Sequence, residues 1–401
     1  MKGVVLPLAI TLAVQALTSM AMIAPAVMAP VVAPELGVSP QGIGWFVALE
    51  YLFGMLSGLA CGGLIGRFGP VRACQISVCL AAAGLVAGAG AVLPAVFAAA
   101  ALIGSGYGLV NPASSHILAR SAPPGMMSLI FSIKQTGVPL GGALAGALVP
   151  PLILYLGWRW SAAVVALFCF SLALLIQPAR IAEHRGAGIG ASVSFWAPLG
   201  MVFANPPVLE LAIVSMIFGS AQLALIAYFV SYLNLELGYS LVVAGLIYSC
   251  AHAAGVVGRI FWGAVADRFS PRRTLGLLGV LMALSGAAAA GLSADWPLPL
   301  VILVSTLFGA SAVGWNGVYL AEAARLAPAG QVGVVTGGIQ FVTFLGALAT
   351  PPLFGLVVGL AGGYGKAYLV FCLLPGLTGA YLLARLRRRP PGSCRGRCGK
   401  K

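Results

Sequence analysis

Charge is what this chain has least of. Only 7% of its 401 residues are charged, and the acidic side chains number 8 against 22 lysines and arginines, with 3 histidines. So few carboxylates and imidazoles leave little material for a metal cluster or an acid–base pair, and no HExxH, GxSxG or Walker pattern occurs. An enzyme is therefore excluded, and no metal or cofactor is expected. Long polar stretches are missing too, so there is no room for the soluble domain that a membrane-bound sensor would carry.

What is present is apolar: 60% of the chain is hydrophobic. A soluble domain of that composition would expose large apolar patches. Twelve runs with almost no charge recur, at 4–32, 44–65, 73–93, 95–118, 126–154, 160–176, 209–233, 240–266, 275–292, 298–321, 333–360 and 367–383. Each can cross a hydrocarbon core about 30 Å thick as a helix. Apolar residues on every face argue against a β-barrel, whose strands alternate. The fold class is an all-α membrane protein with twelve transmembrane helices, called spans 1 to 12 below.

The +14 net charge is topological. Arg67, Arg72, Arg120, Arg180, Arg185, Arg268, Arg272, Arg273, Arg325 and the tail 385–401 fall on the side shared by both termini; Arg159 and Lys366 fall on the other. The positive-inside rule places both termini in the cytoplasm and gives no reason to invoke nucleic acid. The expected location is a bacterial inner (plasma) membrane. The run after Lys2 is too long for a signal peptide and reads as span 1. Cys61, Cys74, Cys79, Cys169, Cys250 and Cys372 read as small hydrophobes in or beside spans, and Cys394 and Cys398 lie in a basic tail with no histidine near them.

The chain is written twice. Residues 35–72 return as 236–273: Gly54 as Gly255, Gly62 as Gly263, Arg67 as Arg268 and Arg72 as Arg273, but Gly58 as Arg259. A second tract pairs Gly104, Asn111, Arg120, Ala122, Pro123, Gly125, Gln135 and Gly141 with Gly309, Asn316, Arg325, Ala327, Pro328, Gly330, Gln340 and Gly346. Six spans per half give both copies the same orientation and relate them by an axis along the membrane normal. The expected division is a bundle at 1–178, a linker at 179–207 carrying Arg180, Glu183, His184 and Arg185, a bundle at 208–384, and a tail at 385–401.

The loop after span 2 reads GGLIGRFGPVR and its mate after span 8 reads GRIFWGAVADRFSPRR. Both resemble the G-x-x-x-D-R-x-G-R-R-like signature of the major facilitator superfamily, and with the spans and halves the resemblance covers the whole chain. It implies two pseudo-symmetric six-helix bundles and alternating access. Gly62 and Gly263 are expected to let helices approach closely, and Arg67, Arg72, Asp267, Arg268, Arg272 and Arg273 to act as gating latches. Gly66 stands where the first loop would carry its carboxylate, which weakens that latch.

Ionisable groups at bilayer depth point to function because they are costly there. They are Glu50, His116, Lys134, His252 and Arg259. Arg259 lies eight residues before Asp267, about 12 Å inside the membrane at 1.5 Å per residue. Two cations against one carboxylate leave an excess of positive charge for an anionic substrate to neutralise, unless Glu50 pairs with one of them. The arginine within G-R-x-x-x-G of span 8 is similar to that of monocarboxylate and oxalate:formate porters, which implies that Arg259 grips a carboxylate. Further substrate-binding candidates are Asn111, Asn316, Gln135, Tyr51, Gln222 and Trp315, with Gln15 as a weaker lining group. Glu50, His252 and His116 are the candidates for proton coupling.

The expected activity is secondary transport of a small organic anion, a mono- or dicarboxylate, by a monomer in the lipid bilayer, coupled to protons or working by exchange. GVPLGG at 137–142 is similar to the signature of drug:proton antiporters, so proton-coupled export of drugs or metabolites is the alternative. Tight helix packing would also account for those glycines.

Overall fold

A computed structural model describes residues 2–121, 127–179, 197–328 and 332–387. Pro123, Gly125, Gly330, the charged part of the linker and the tail cysteines lie outside the described residues. Among the described residues twelve helices are long and apolar enough to cross a membrane: Val4–Glu35, Pro40–Phe68, Pro70–Gly88, Leu93–Ser121, Ile130–Leu156, Trp158–Ala179, Pro206–Glu236, Leu241–Phe269, Pro271–Ala290, Leu298–Leu326, Val335–Ala361 and Tyr364–Leu386. These are spans 1 to 12, and they form the two six-helix bundles of the expected fold class.

Local chemistry sets the ends of the spans. Ser240 accepts from Val243 N at the start of span 8, and Ser270 accepts from Arg273 N at the start of span 9, which satisfies amides that a helix start leaves open. Gly37 and its repeat mate Gly238 turn the chain after spans 1 and 7 with φ of 67° and 73°, angles that glycine adopts without steric cost. Outward side chains such as Trp45, Tyr155 and Trp160 are exposed, as lipid-facing and interfacial aromatics are.

Inside each half, glycines bring alternate spans into backbone contact. Gly104 of span 4 lies on the backbone of Glu50 in span 2, and its mate Gly309 of span 10 lies on the backbone of Ala251 in span 8. The twofold sequence repeat is thus a repeat of packing.

The halves meet along the side away from the termini, the far side. Gly142 and Gly146 of span 5 face His252 and Gly245 of span 8, and Gly44 of span 2 faces Pro351 of span 11. Hydrogen bonds crossing this seam include Tyr228 Oη to the Gln41 carbonyl at 2.9 Å and Ser249 Oγ to the Ala143 carbonyl at 2.8 Å. On the terminus side, by contrast, a Cβ at Gly62, Gly63 or Gly263 would meet nothing within 4 Å. The described structure is closed on the far side and open toward the termini. Gly62 and Gly263 therefore do not make the close helix approaches expected of them in this conformation.

The stretch 179–207, read as a linker, contains the helix Ala197–Ala204. Val202 in it is fully buried, and Gly338 of span 11 packs on the Pro198 carbonyl. The last helix continues through Arg387, so the first residues of the expected tail are helical.

Candidate functional site

Among the described residues two of the twelve spans are broken, and the breaks converge. Span 5 is divided at Thr136 between Met127–Gln135 and Gly137–Leu156, and span 10 between Leu298–Ala312 and Asn316–Leu326. Their repeat mates, spans 11 and 4, run unbroken as Val332–Ala361 and Leu93–Ser121. A broken helix leaves carbonyls at the C-terminal end of its first segment without an intrahelical donor, and the helix dipole makes that end negative.

Arg259 takes both ends. Its Nε donates to the Val313 carbonyl at 3.1 Å and its NH1 to the Gln135 carbonyl at 2.5 Å. The guanidinium thus spans the two halves, with only 7% of the residue exposed. Tyr107 and Tyr319 stand within its electrostatic reach. Gln135, expected to offer its side chain, contributes its backbone carbonyl instead.

Lys134 is one residue from that carbonyl and is fully buried; its Nζ donates to Asn111 Oδ1 at 2.5 Å. On the opposite half, Gln222 Oε1 accepts from Asn316 Nδ2 and from Trp315 Nε1, both at 3.1 Å. The repeat-mate asparagines therefore differ in role: Asn111 holds a cation and Asn316 holds a glutamine. Tyr319 Oη donates to Gln340 Oε1 at 3.0 Å, which brings the mate of Gln135 toward the same region. Among the described residues no carboxylate lies within ion-pairing distance of Arg259 or Lys134.

Glu50 is elsewhere. It is fully buried with neither oxygen hydrogen-bonded, in a small pocket with Ser19, Val47, Tyr51, Tyr107 and Ile226. The internal ion pair that would have made the two cations purely structural is not formed. Tyr51 packs edge-on to Tyr107 and to Phe344 of the other half, at 6.1 and 5.5 Å. The His252 ring lies tilted against Tyr248 at 4.2 Å, its Nδ1 lies 3.3 Å from the Tyr248 carbonyl, and its Nε2 has no partner. His116 lies half-buried in span 4, five residues nearer the termini than Asn111. Gln15 is buried beside Gly137, with Nε2 3.4 Å from Ser19 Oγ.

With this geometry in place, known proteins are informative. The model of the Major Facilitator Superfamily matches residues 11–351. The chain belongs to that family. It is a membrane transporter and not an enzyme. It is 27% identical over 344 residues to the probable nitrate/nitrite transporter NarK2 of Mycobacterium tuberculosis, covering 80% of this chain and 81% of that one. It is 26% identical over 331 residues to the gentisate transporter of Corynebacterium glutamicum, covering 80% and 73%. Against the MFS transporter asaE of Aspergillus flavus, 24% identical, it spans 58% of the relative's length. Among solved structures, a bacterial homologue of the human lysosomal transporter Spinster, inward-facing and occupied, superposes with a TM-score of 0.74 at 13% identity, covering 95% of this chain and 96% of that one.

The superfamily loops bring different charges together than their motif suggests. Arg272 Nε donates to Glu322 Oε1 at 2.8 Å and its NH1 lies 3.7 Å from Glu210 Oε2; Arg385 pairs with Glu210 at 2.9 Å and Arg325 with Glu322 at 3.3 Å. Asp267 and Arg268 are exposed at the helix end, and among the described residues Asp267 forms no ion pair. Arg273 contributes its backbone amide to the Ser270 cap. In the first half Arg72 donates to Gln75 Oε1 at 3.1 Å and Arg67 lies over the Phe68 ring. Glu210 and Glu322 went unread in the sequence because they lie outside the loop motif, on spans 7 and 10.

The glycines of GVPLGG serve packing. Gly137 and Gly141 lie against span 1, and Gly142 lies against His252 of span 8. Their spacing is explained by two helix contacts without an export function.

Proposed function

We propose that the chain carries a small organic anion, a mono- or dicarboxylate, across the membrane by alternating access, with Arg259 and Lys134 as the cationic pair that receives it. One observation supports this reading above others: two buried cations, one from each half, approach each other, and among the described residues no carboxylate neutralises them. Buried charge without a counter-charge is costly, and an anion entering from the open terminus side would supply one. The guanidinium offers planar, bidentate recognition and the ammonium a point charge.

The neighbouring dipoles favour this use. Arg259 is held by carbonyls and Lys134 by a side-chain amide, so neither is paired with a carboxylate among the described residues. Nitrate, nitrite and gentisate, named for two of the relatives, are anions, which agrees with a cationic centre. Asn111, Asn316, Gln222, Trp315, Tyr107 and Tyr319 would shape the rest of the site, and Glu50 and His252 would carry the coupled proton at the far-side seam.

The test is binding and counterflow in proteoliposomes, preceded by a thermal-shift panel of monocarboxylates, dicarboxylates, nitrate and cationic drugs. Arg259→Gln is expected to remove anion binding while the protein remains folded. Unchanged affinity in that variant, or stabilisation by cationic drugs alone, would reject the assignment.

A further inference from the structure

Neighbouring groups fix which end each amide beside the cationic centre presents to a ligand. A lysine ammonium has hydrogens to give and no lone pair to accept with, and the same holds for an indole N–H. Lys134 Nζ lies 2.5 Å from Asn111, so the atom it meets is Oδ1 and the Nδ2 hydrogens are turned away. Trp315 Nε1 lies 3.1 Å from Gln222, so the atom it meets is Oε1. Asn316, also 3.1 Å from that Oε1, can meet it only through Nδ2, which turns its own Oδ1 away.

The repeat-mate asparagines therefore present opposite chemistry. Asn111 offers N–H donors from the first half, and Asn316 offers a carbonyl oxygen from the second. Both residues are half-buried, and among the described residues neither Asn111 Nδ2 nor Asn316 Oδ1 has a hydrogen-bond partner. Both residues also belong to the surroundings of Arg259. Lys134, which Asn111 holds, directly precedes the Gln135 carbonyl that accepts from Arg259 NH1. Asn316 follows the Val313 carbonyl that accepts from Arg259 Nε by three residues, no more than about 11 Å of chain at 3.8 Å per step. A Cβ on Gly317, the next residue, would lie 3.5 Å from the Arg259 carbonyl oxygen.

We propose that the anion carried here bears a hydroxyl group: its carboxylate meets Arg259, Lys134 and the Asn111 amide, and its hydroxyl donates to Asn316 Oδ1. This rests on the anion reading above and narrows it to hydroxy-carboxylates. A plain carboxylate has only acceptors, so it satisfies the cations but leaves the Asn316 oxygen unpaired once closure expels water. A hydroxyl supplies the missing hydrogen. An ammonium would supply one too, but it brings a third positive charge to a place that already holds two. Trp315 is then a positioning residue, because its indole N–H sets Gln222 and Gln222 sets Asn316.

The test is calorimetric titration of the full chain in lipid nanodiscs with acids that differ by one hydroxyl. The pairs are lactate and propionate, malate and succinate, and 3-hydroxybenzoate and benzoate, with alanine as the ammonium control. In at least one pair the hydroxy acid should bind at least tenfold more tightly, and alanine should bind more weakly than lactate. Asn316→Ala should bring that ratio below threefold by weakening the hydroxy acid alone, whereas Asn111→Ala should weaken both members and preserve the ratio. Trp315→Phe, which releases Gln222 and Asn316 to turn, should lower the ratio at least threefold and serves if Asn316→Ala does not fold. Equal affinity within every pair, with binding still lost in Arg259→Gln, would overturn the hydroxyl assignment and leave the anion reading standing. A ratio unmoved by both variants would do the same. Binding of no carboxylate at all would overturn both.

Discussion

Arg259 donates through Nε to the carbonyl of Val313, which holds in the second half the place that Gly108 holds in the first. In the first half the Gly108 carbonyl faces Gly58, the mate of Arg259, so closely that a Cβ on Gly58 would lie 3.3 Å away. Where glycine stands, spans 2 and 4 pack and span 4 continues. Where arginine stands, the guanidinium takes the carbonyl and span 10 breaks. The same substitution that places a cation in the membrane also supplies the donor that makes the break tolerable.

Arg259→Lys separates the charge from the geometry. Lysine keeps the cation but has no Nε–H, so one ammonium cannot reproduce both carbonyl bonds of the planar fork. A lost hydrogen bond to a charged group corresponds to about 1.5–3 kcal/mol, or roughly ten- to a hundredfold. Transport is therefore expected to fall by at least tenfold in Arg259→Lys, with measurable anion binding retained. Wild-type rates in reconstituted vesicles would show that the bridge between the broken spans is dispensable.

The far-side seam offers a separate handle on conformation. Gly146 lies against the Gly245 carbonyl, so a side chain there overfills a contact between the halves. Overpacking costs about 1–3 kcal/mol, and that cost is borne by the closed far side alone. Gly146→Val should shift the population toward a far-side-open state by about five- to a hundredfold. Spin labels at Ser39 and Leu360, exposed on opposite halves, would report a longer distance by pulsed resonance. An unchanged distance distribution would mean that the seam yields without opening.

Much of this was legible in the chain. The spans followed from apolar runs and the two halves from the repeat, because lipid admits only helices or closed barrels and runs apolar on every face do not suit a barrel's alternating strands. Arg259, Lys134 and Asn111 stood out because charge and polarity at bilayer depth need a reason. The break in span 5 had a visible sign, since Pro139 has no N–H to offer the Gln135 carbonyl four residues before it, but the break in span 10 did not: no proline stands at 313–315, and the donor that takes the freed carbonyl is 54 residues away. The Arg272–Glu322–Glu210 cluster was hidden for the same reason, since three separate spans supply it. A motif is read along the chain, whereas ion pairs are set by which span ends the fold brings together.

That cluster gives a prediction opposed to the motif. Glu322 is the buried member, with 5% of its side chain exposed, and it serves both Arg272 and Arg325. Removing one partner of a buried pair strands its cations, whereas an exposed charge contributes little. Glu322→Gln should destabilise the protein by about 1.5–3 kcal/mol, and Asp267→Asn by less than about 0.5 kcal/mol. Thermal unfolding in detergent would decide the order. A larger loss in Asp267→Asn would restore the loop carboxylate as the latch in this conformation.

Glu50 tests the proposed coupling. Its carboxyl is sealed among apolar and aromatic side chains with neither oxygen bonded, so it exchanges a proton only when the seam admits water. Glutamine matches its shape and cannot titrate. Glu50→Gln should therefore fold normally and lose at least tenfold of the uptake driven by an imposed pH gradient. Substrate exchange at equal pH, which needs the cationic centre alone, should keep at least half of its rate. His252→Gln in the same assay separates the two candidates, because the histidine lies across the seam on span 8. If gradient-driven uptake survives in Glu50→Gln and fails in His252→Gln, the coupled proton belongs to the second half, beside the arginine that the repeat placed there.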